Sequence, residues 1–216
     1  PALAAERAAR MVAAGWNAIK IKVGHDPAED IDRGKAVRAA IGPDVLLTVD
    51  ANGGYRIHQA REAAKGFADC RVLLFEQPTP RGDHRAMATV RRDGAIPVIA
   101  DESIFTHADA LEAIRCESAD ILSLYPGKHG GIRASQEIAR MAESAGMACT
   151  IGSNLEREIA TAAMAHLAIS TPNIQCERFP GDLIGPLYFD APFTKYPLSY
   201  AADRLRIPSG PGLGVC

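Results

Sequence analysis

No run of apolar residues in this 216-residue chain approaches the roughly 20 that a membrane-spanning helix needs, so a helical membrane protein is excluded. Charge of one sign is missing too. Lys and Arg number 24 against 26 Asp and Glu, a formal net charge of −2, with no Lys/Arg block; this argues against nucleic acid as a partner. Cysteine is sparse: Cys70, Cys116, Cys149, Cys176 and Cys216 are scattered, odd in number and form no CxxC. That pattern predicts a reducing compartment and no zinc site. The first residues, PALAAERAAR, read as an amphipathic helix and not as a basic-then-apolar signal peptide. A globular, cytoplasmic protein is expected, long enough to bury about 70% of its unfolded surface.

What is present is a repeat. Apolar, β-branched runs recur at AIKIKV (18–23), LLTVDAN (46–52), VLLFEQP (72–78), PVIADES (97–103), ILSLYPG (121–127), ACTIGS (148–153) and IQCERF (174–179), about 25–28 residues apart. Between them lie Ala-rich segments with apolar residues at i, i+3, i+4 spacing, such as IHQAREAAKGFA and RASQEIARMAESAG. Alternation of this kind predicts βαβ units and a parallel sheet. No strand is followed by GxGxxG, which weakens a dinucleotide-binding open sheet. Lys22, Asp50, Glu76 and Asp101 each fall at the C-terminal end of a different strand. Barrel strands bring such ends to one mouth, where active sites are built. The expected fold is therefore α/β, a (β/α)8 barrel of the TIM type with seven strand–helix units visible. An eighth strand is expected to precede Pro1, in a longer protein.

The carboxylates come next. Asp50 in TVDAN, Glu76 in FEQP and Asp101 in IADES occupy the same strand position in three consecutive repeats. As single residues they would cap the following helices; together at one mouth they repel. At an effective dielectric near 20, each close pair costs on the order of 4 kcal/mol, which a divalent cation removes. Oxygen ligands without His or Cys favour Mg2+ over Zn2+. Glu102 follows Asp101 directly and by strand alternation is expected on the opposite side. Asn52 is expected to share the face of Asp50 and to contact substrate.

Lys20 and Lys22, one residue apart on an apolar strand, project to the same face roughly 6–7 Å apart. A solvated edge strand is the plain alternative, although Ile19, Ile21 and Val23 look buried. The functional reading is a general base. An unperturbed lysine is about 0.04% neutral at pH 7, and a like-charged neighbour or a nearby cation raises that fraction. A lysine base beside Mg2+ points to removal of a proton α to a carboxylate, with the enediolate neutralised by the metal.

At this point KIK, VDAN, FEQP, ADES and the GG after the next strand resemble the enolase superfamily, in its mandelate racemase/muconate lactonizing branch, from Ala18 to about Gly214. The resemblance implies Asp50, Glu76 and Asp101 as Mg2+ ligands, Lys22 as the base and Lys20 as its support. It implies that residues 1–216 are the catalytic barrel domain, with an N-terminal α+β capping domain and the first strand outside the chain. The expected partners are a small-molecule carboxylate substrate and further copies of the same chain, with neither nucleic acid nor membrane. One position departs from the pattern. Where family members with two-lysine chemistry carry the opposing lysine, five residues before Gly130, this chain has Tyr125. Tyr125 serves as an acid, or Lys128 in LYPGKHGG folds back over the mouth, or only one face carries a base. Ser153 and Asn154 at the end of ACTIGS, and Glu177 at the end of IQCERF, are further candidates for substrate contact. A muconate cycloisomerase-like isomerase is the expected function. A dehydratase of acid sugars or hydroxy acids, a racemase or epimerase, and a degenerate metal- or acid-binding barrel are the alternatives.

Overall fold

A computed structural model describes residues 1–215 of the chain. They form two compact units, one of Pro1–Ser103 with Glu112–Ile121, the other of Ile104–Leu111 with the chain from Leu122 onward. The element order is α1 (Ala2–Ala13), β1 (Ala18–Lys22), α2 (Pro27–Ile41), β2 (Leu46–Asp50), α3 (Ile57–Asp69), β3 (Leu74–Glu76), α4 (His84–Arg92), β4 (Val98–Ala100) and α5 (His107–Arg115). It continues with β5 (Ile121–Leu124), α6 (Pro126–His129), α7 (Ile132–Ser144), β6 (Ala148–Ile151) and α8 (Glu158–Ser170), and ends in a hairpin of β7 (Ser199–Ala201) and β8 (Arg204–Arg206). Strand order in the main sheet follows the chain, β1-β2-β3-β4-β5-β6. This is the order of a (β/α) barrel and not of a doubly wound sheet, whose order reverses. Among the described residues no helix is long and apolar enough to cross a membrane.

In the first unit, β1, β2, β3 and β4 pair in parallel. Leu47, Val49, Leu74, Phe75 and Val98 are fully or almost fully buried, as expected for strands covered by helices. Helix α2 begins where Asp26 accepts the Glu29 amide at 3.1 Å and Pro27 presets the first turn. Its last turn is tied down by Arg38, whose guanidinium donates to four carbonyls, those of Gly42, Val45, Cys70 and Arg71, at 2.7–3.0 Å. Helix α3 lays Ala60, Ala63, Ala64 and Phe67 on the core. The Phe67 and Tyr55 rings meet Phe75 edge-on, with centroids 5.6 and 6.1 Å away.

The second unit differs most from what the sequence predicts. IQCERF is not a seventh strand. It makes one parallel bridge, Cys149 to Ile174, with the Cys149 amide on the Asn173 carbonyl and the Gln175 amide on the Cys149 carbonyl, both at 2.9 Å. The chain then turns, with the amides of Arg178 and Phe179 both closing back on the Gln175 carbonyl at 3.0 and 2.8 Å instead of continuing a ladder. The β7–β8 hairpin is unforeseen. Its turn places Ala202 at φ 52°, and the Tyr200 hydroxyl holds it to the Leu183 carbonyl at 2.7 Å. Upstream, Arg157 donates to the Ala191 carbonyl at 2.6 Å and lies 4.5 and 5.2 Å from the Phe189 and Phe193 ring centroids, pinning an otherwise irregular segment.

Candidate active site

The site begins with the period of β1. Ile19 and Ile21 are buried, so Lys20 and Lys22 take the other face. The register sets Lys22 opposite Asp50, and Asp50 opposite Glu76. Neighbouring strands lie about 4.8 Å apart, so lysine, aspartate and glutamate form one lateral row. The row continues as backbone: the amides of Val23, Ala51 and Gln77 donate to the carbonyls of Asp50, Glu76 and Ile99 at 2.8–3.0 Å.

Each carboxylate in the row carries a lysine. Lys22 Nζ lies 2.5 Å from Asp50 Oδ2, and Lys20 Nζ lies 2.8 Å from Glu76 Oε2. Asp50 and Glu76 side chains are only 2% and 7% exposed, and charges so deep need partners. The two lysines are unlike. Lys20 is 22% exposed and reaches past β2 to β3, whereas Lys22 remains 66% exposed. Lys22 is thus the amine a substrate can approach.

The loop after β1 is fixed from beneath. Asp30 is completely buried and accepts hydrogen bonds from the Gly24 amide at 2.9 Å, the His25 amide at 3.0 Å and the Tyr55 hydroxyl at 2.6 Å, with Arg33 on its other oxygen. Burial pushes its carboxyl up, but the Tyr55 hydroxyl, the two amides and Arg33 outweigh burial and hold it below the ordinary carboxylate value. Gly54 serves the same loop, since a Cβ there would stand 2.2 Å from the Gly24 carbonyl oxygen. Sequence reading passed over Asp30. Its signal was an acidic residue on the buried side of α2.

Asp101 and Glu102 do not alternate as strand residues, because β4 ends at Ala100 and both lie in the following turn. The Glu102 side chain is therefore not turned away from the row, as strand alternation predicted. Asn52 Nδ2 donates to Glu102 Oε1 at 2.7 Å, while the Asn52 amide donates to Asp50 Oδ1 at 2.8 Å. Burial pushes the Glu102 carboxyl above its usual range, and the nearby charges of Asp101 and Asp50 push it further. Asp101 is 7% exposed, and its amide donates to Gln77 Oε1 at 3.0 Å. Among the described residues no group of three or more His, Cys, Asp and Glu is gathered to hold a metal. As the side chains stand, lysines balance Asp50 and Glu76. The donor set nevertheless fits a hard cation: Asp50, Glu76, Asp101 and Glu102 offer oxygen only, and Asp50 and Glu76 are in register.

In the second unit, Tyr125 lies one residue past β5, opens α6 and is 4% exposed. Lys128 is buried and folds back, its Nζ 2.9 Å from the Ser123 carbonyl and 4.7 Å from the Tyr125 ring centroid. Ser153 and Asn154 build a local turn. The Ser153 hydroxyl donates to Glu156 Oε2 at 2.5 Å, and the Asn154 amide joins the same oxygen at 2.9 Å. Glu177 is exposed in the turn that replaces the expected strand. An open groove of about 430 Å3 beside Ile169, Ile174 and Cys176 includes none of the strand-end charges.

A succession of β–α units thus carries lysines and carboxylates at or just past the ends of its first four strands, the arrangement of a (β/α) barrel. The chain matches the family described as Enolase C-terminal domain-like over residues 3–216, and it belongs to that family, in the mandelate racemase/muconate lactonizing branch of the enolase superfamily. It is 36% identical over 197 residues to muconate cycloisomerase 1 of Rhodococcus opacus, covering 91% of this chain and 52% of that protein. It is 35% identical over 204 residues to the L-Ala-D/L-Glu epimerase of Bacillus subtilis, covering 93% and 55%. Its fold superposes on the dipeptide epimerase of Enterococcus faecalis V583 with a TM-score of 0.93 and 33% identity, over 100% of this chain and 62% of that one. The chain spans a little over half the length of these curated relatives.

Proposed function

We propose that the protein is an isomerase of the muconate cycloisomerase type, abstracting a proton α to the carboxylate of a small substrate. One observation carries this reading: Lys22, Asp50 and Glu76 stand in one register row, with Lys20 bound to Glu76 behind them. In this reading Asp50, Glu76 and Asp101 hold Mg2+, and bound there the cation supplies positive charge against the charge that develops on the substrate carboxylate. Support for the metal comes from a relative: the dipeptide epimerase of Cytophaga hutchinsonii, 29% identical with a TM-score of 0.91, is a complex with Mg and D-Ala-L-Val.

The chain's own residues do the rest. Lys22 handles the proton at the α-carbon: as the ammonium it delivers that proton from Nζ once the carboxylate has added across the double bond, and as the neutral amine it removes it in the reverse direction. Lys20, held by Glu76, stands behind Lys22 on the same strand face. Tyr125 stands where a second lysine would complete a base on each face, so one-face chemistry is the reading we favour over racemisation. The protein is further expected to act in the cytoplasm, as a homo-oligomer, with a capping domain preceding this one.

A second reading, epimerisation, is favoured by the epimerases among the relatives. Incubating the full-length protein with muconates, dipeptides and acid sugars in deuterated solvent separates the two. A cycloisomerase or dehydratase incorporates deuterium on one face; an epimerase labels both epimers. Absence of α-proton exchange with every substrate overturns both.

A further inference from the structure

We propose that Glu102 is a fourth carboxylate of the cation site, contributing Oε2, and that Asn52 and Gln77 position it. This rests on the metal reading above and adds a donor to it.

The two oxygens of Glu102 are treated differently. Oε1 accepts from Asn52 Nδ2 at 2.7 Å, whereas Oε2 is buried and among the described residues meets no hydrogen-bond donor. A carboxylate oxygen sealed from water without a donor is destabilising unless a cation faces it. Hard divalent cations take six or more oxygens, so three carboxylates leave room for another.

The surroundings of Glu102 are built to hold it. Asn52 spans two carboxylates, its amide on Asp50 and its side chain on Glu102. It does so at φ 44°, a left-handed backbone that asparagine tolerates better than most residues. Gln77 is completely buried and clamps the turn from below. Its Oε1 accepts the amides of Asp101 and Ser103, the residues flanking Glu102, at 3.0 and 3.2 Å. Its Nε2 donates to the Thr79 carbonyl and the Ser103 hydroxyl, both at 2.8 Å. All four hydrogen-bonding positions of the amide are used, so it has one orientation and the turn has one shape. A turn needed only to connect β4 to α5 requires no such clamp.

The test is Mg2+ titration by calorimetry on the full-length protein, with thermal melting of each variant alongside. Asp50→Asn is expected to abolish binding. Glu102→Gln is expected to weaken it about 10–100-fold, the range seen when groups supporting a metal are removed. Asn52→Ala is expected to weaken it less, and to add nothing in a Glu102→Gln background, because it acts through Glu102. If Asp50→Asn loses Mg2+ while Glu102→Gln and Asn52→Ala bind as wild type, Glu102 is no donor and the three-carboxylate reading stands. A wild-type protein that binds no Mg2+ overturns both. Should Glu102→Gln fail to fold, Asn52→Ala with normal melting and normal affinity overturns the proposal by itself.

Discussion

The strand ends of the two units carry opposite chemistry. In the first unit, β1, β2 and β3 end in Lys22, Asp50 and Glu76, whose side chains are held in ion pairs between strands, and just past β4 the Asp101 amide and the Glu102 side chain are bonded to residues of other loops. In the second unit, β5 and β6 lead into Tyr125 and Gly152, and the polar residues that follow satisfy each other locally: Lys128 with Ser123, Ser153 and Asn154 with Glu156. Long-range pairing of buried charge is costly to assemble and is kept where charge has work to do. Local turns need no such explanation.

The comparison is tested most severely by Lys22→Ala. If the first unit holds the base, turnover on the true substrate falls by three orders of magnitude or more, about 4 kcal/mol of transition-state stabilisation, while Mg2+ affinity measured by calorimetry changes little. Near-normal turnover would remove the functional distinction between the units.

Asp30→Ala comes next. It orphans two amides and a hydroxyl in the β1–α2 loop and is expected to cost about 3–5 kcal/mol in urea unfolding. The pH dependence has a definite sign. Because the folded carboxyl titrates below the unfolded value of about 3.9, its contribution is fully present above that pH. It is lost as the pH falls through the lower folded value. Wild-type protein should therefore lose more stability than Asp30→Ala over that acid range.

Lys128→Met keeps the aliphatic stem but removes the ammonium from the Ser123 carbonyl and the Tyr125 ring. A loss of about 1–2 kcal/mol in thermal unfolding is expected. A far larger drop in turnover than in stability would give the second unit a chemical role and narrow the contrast. Smallest of all, Glu177→Ala should stay within about 0.5 kcal/mol and leave KM unchanged, as befits an exposed turn residue.

Much of this was legible beforehand where the chemistry is carried by period. Alternation in AIKIKV fixed which face Lys20 and Lys22 share, and the spacing of the apolar runs gave β1 to β6. IQCERF differs because a strand is decided by whether its amides find a neighbouring ladder, and those of Arg178 and Phe179 close on Gln175 instead. Glu102 was misplaced for a related reason: alternation holds only inside a strand, and β4 stops one residue before Asp101.

Residue identity and order alone determined the β–α repeat, the lysine pair and the oxygen-only carboxylates, and the resemblance to the family added the tyrosine in place of a second lysine. Tertiary structure decided what each of these touches. That Lys20 reaches Glu76 past β2, that Asn52 joins Asp50 to Glu102, and that Gln77 clamps the turn between β4 and α5 all depend on loops from three strands meeting. Periodicity is a property of neighbours along the chain, whereas the Lys20–Glu76, Asn52–Glu102 and Gln77–Asp101 contacts link residues 24 to 56 positions apart, whose encounter only the packed sheet brings about.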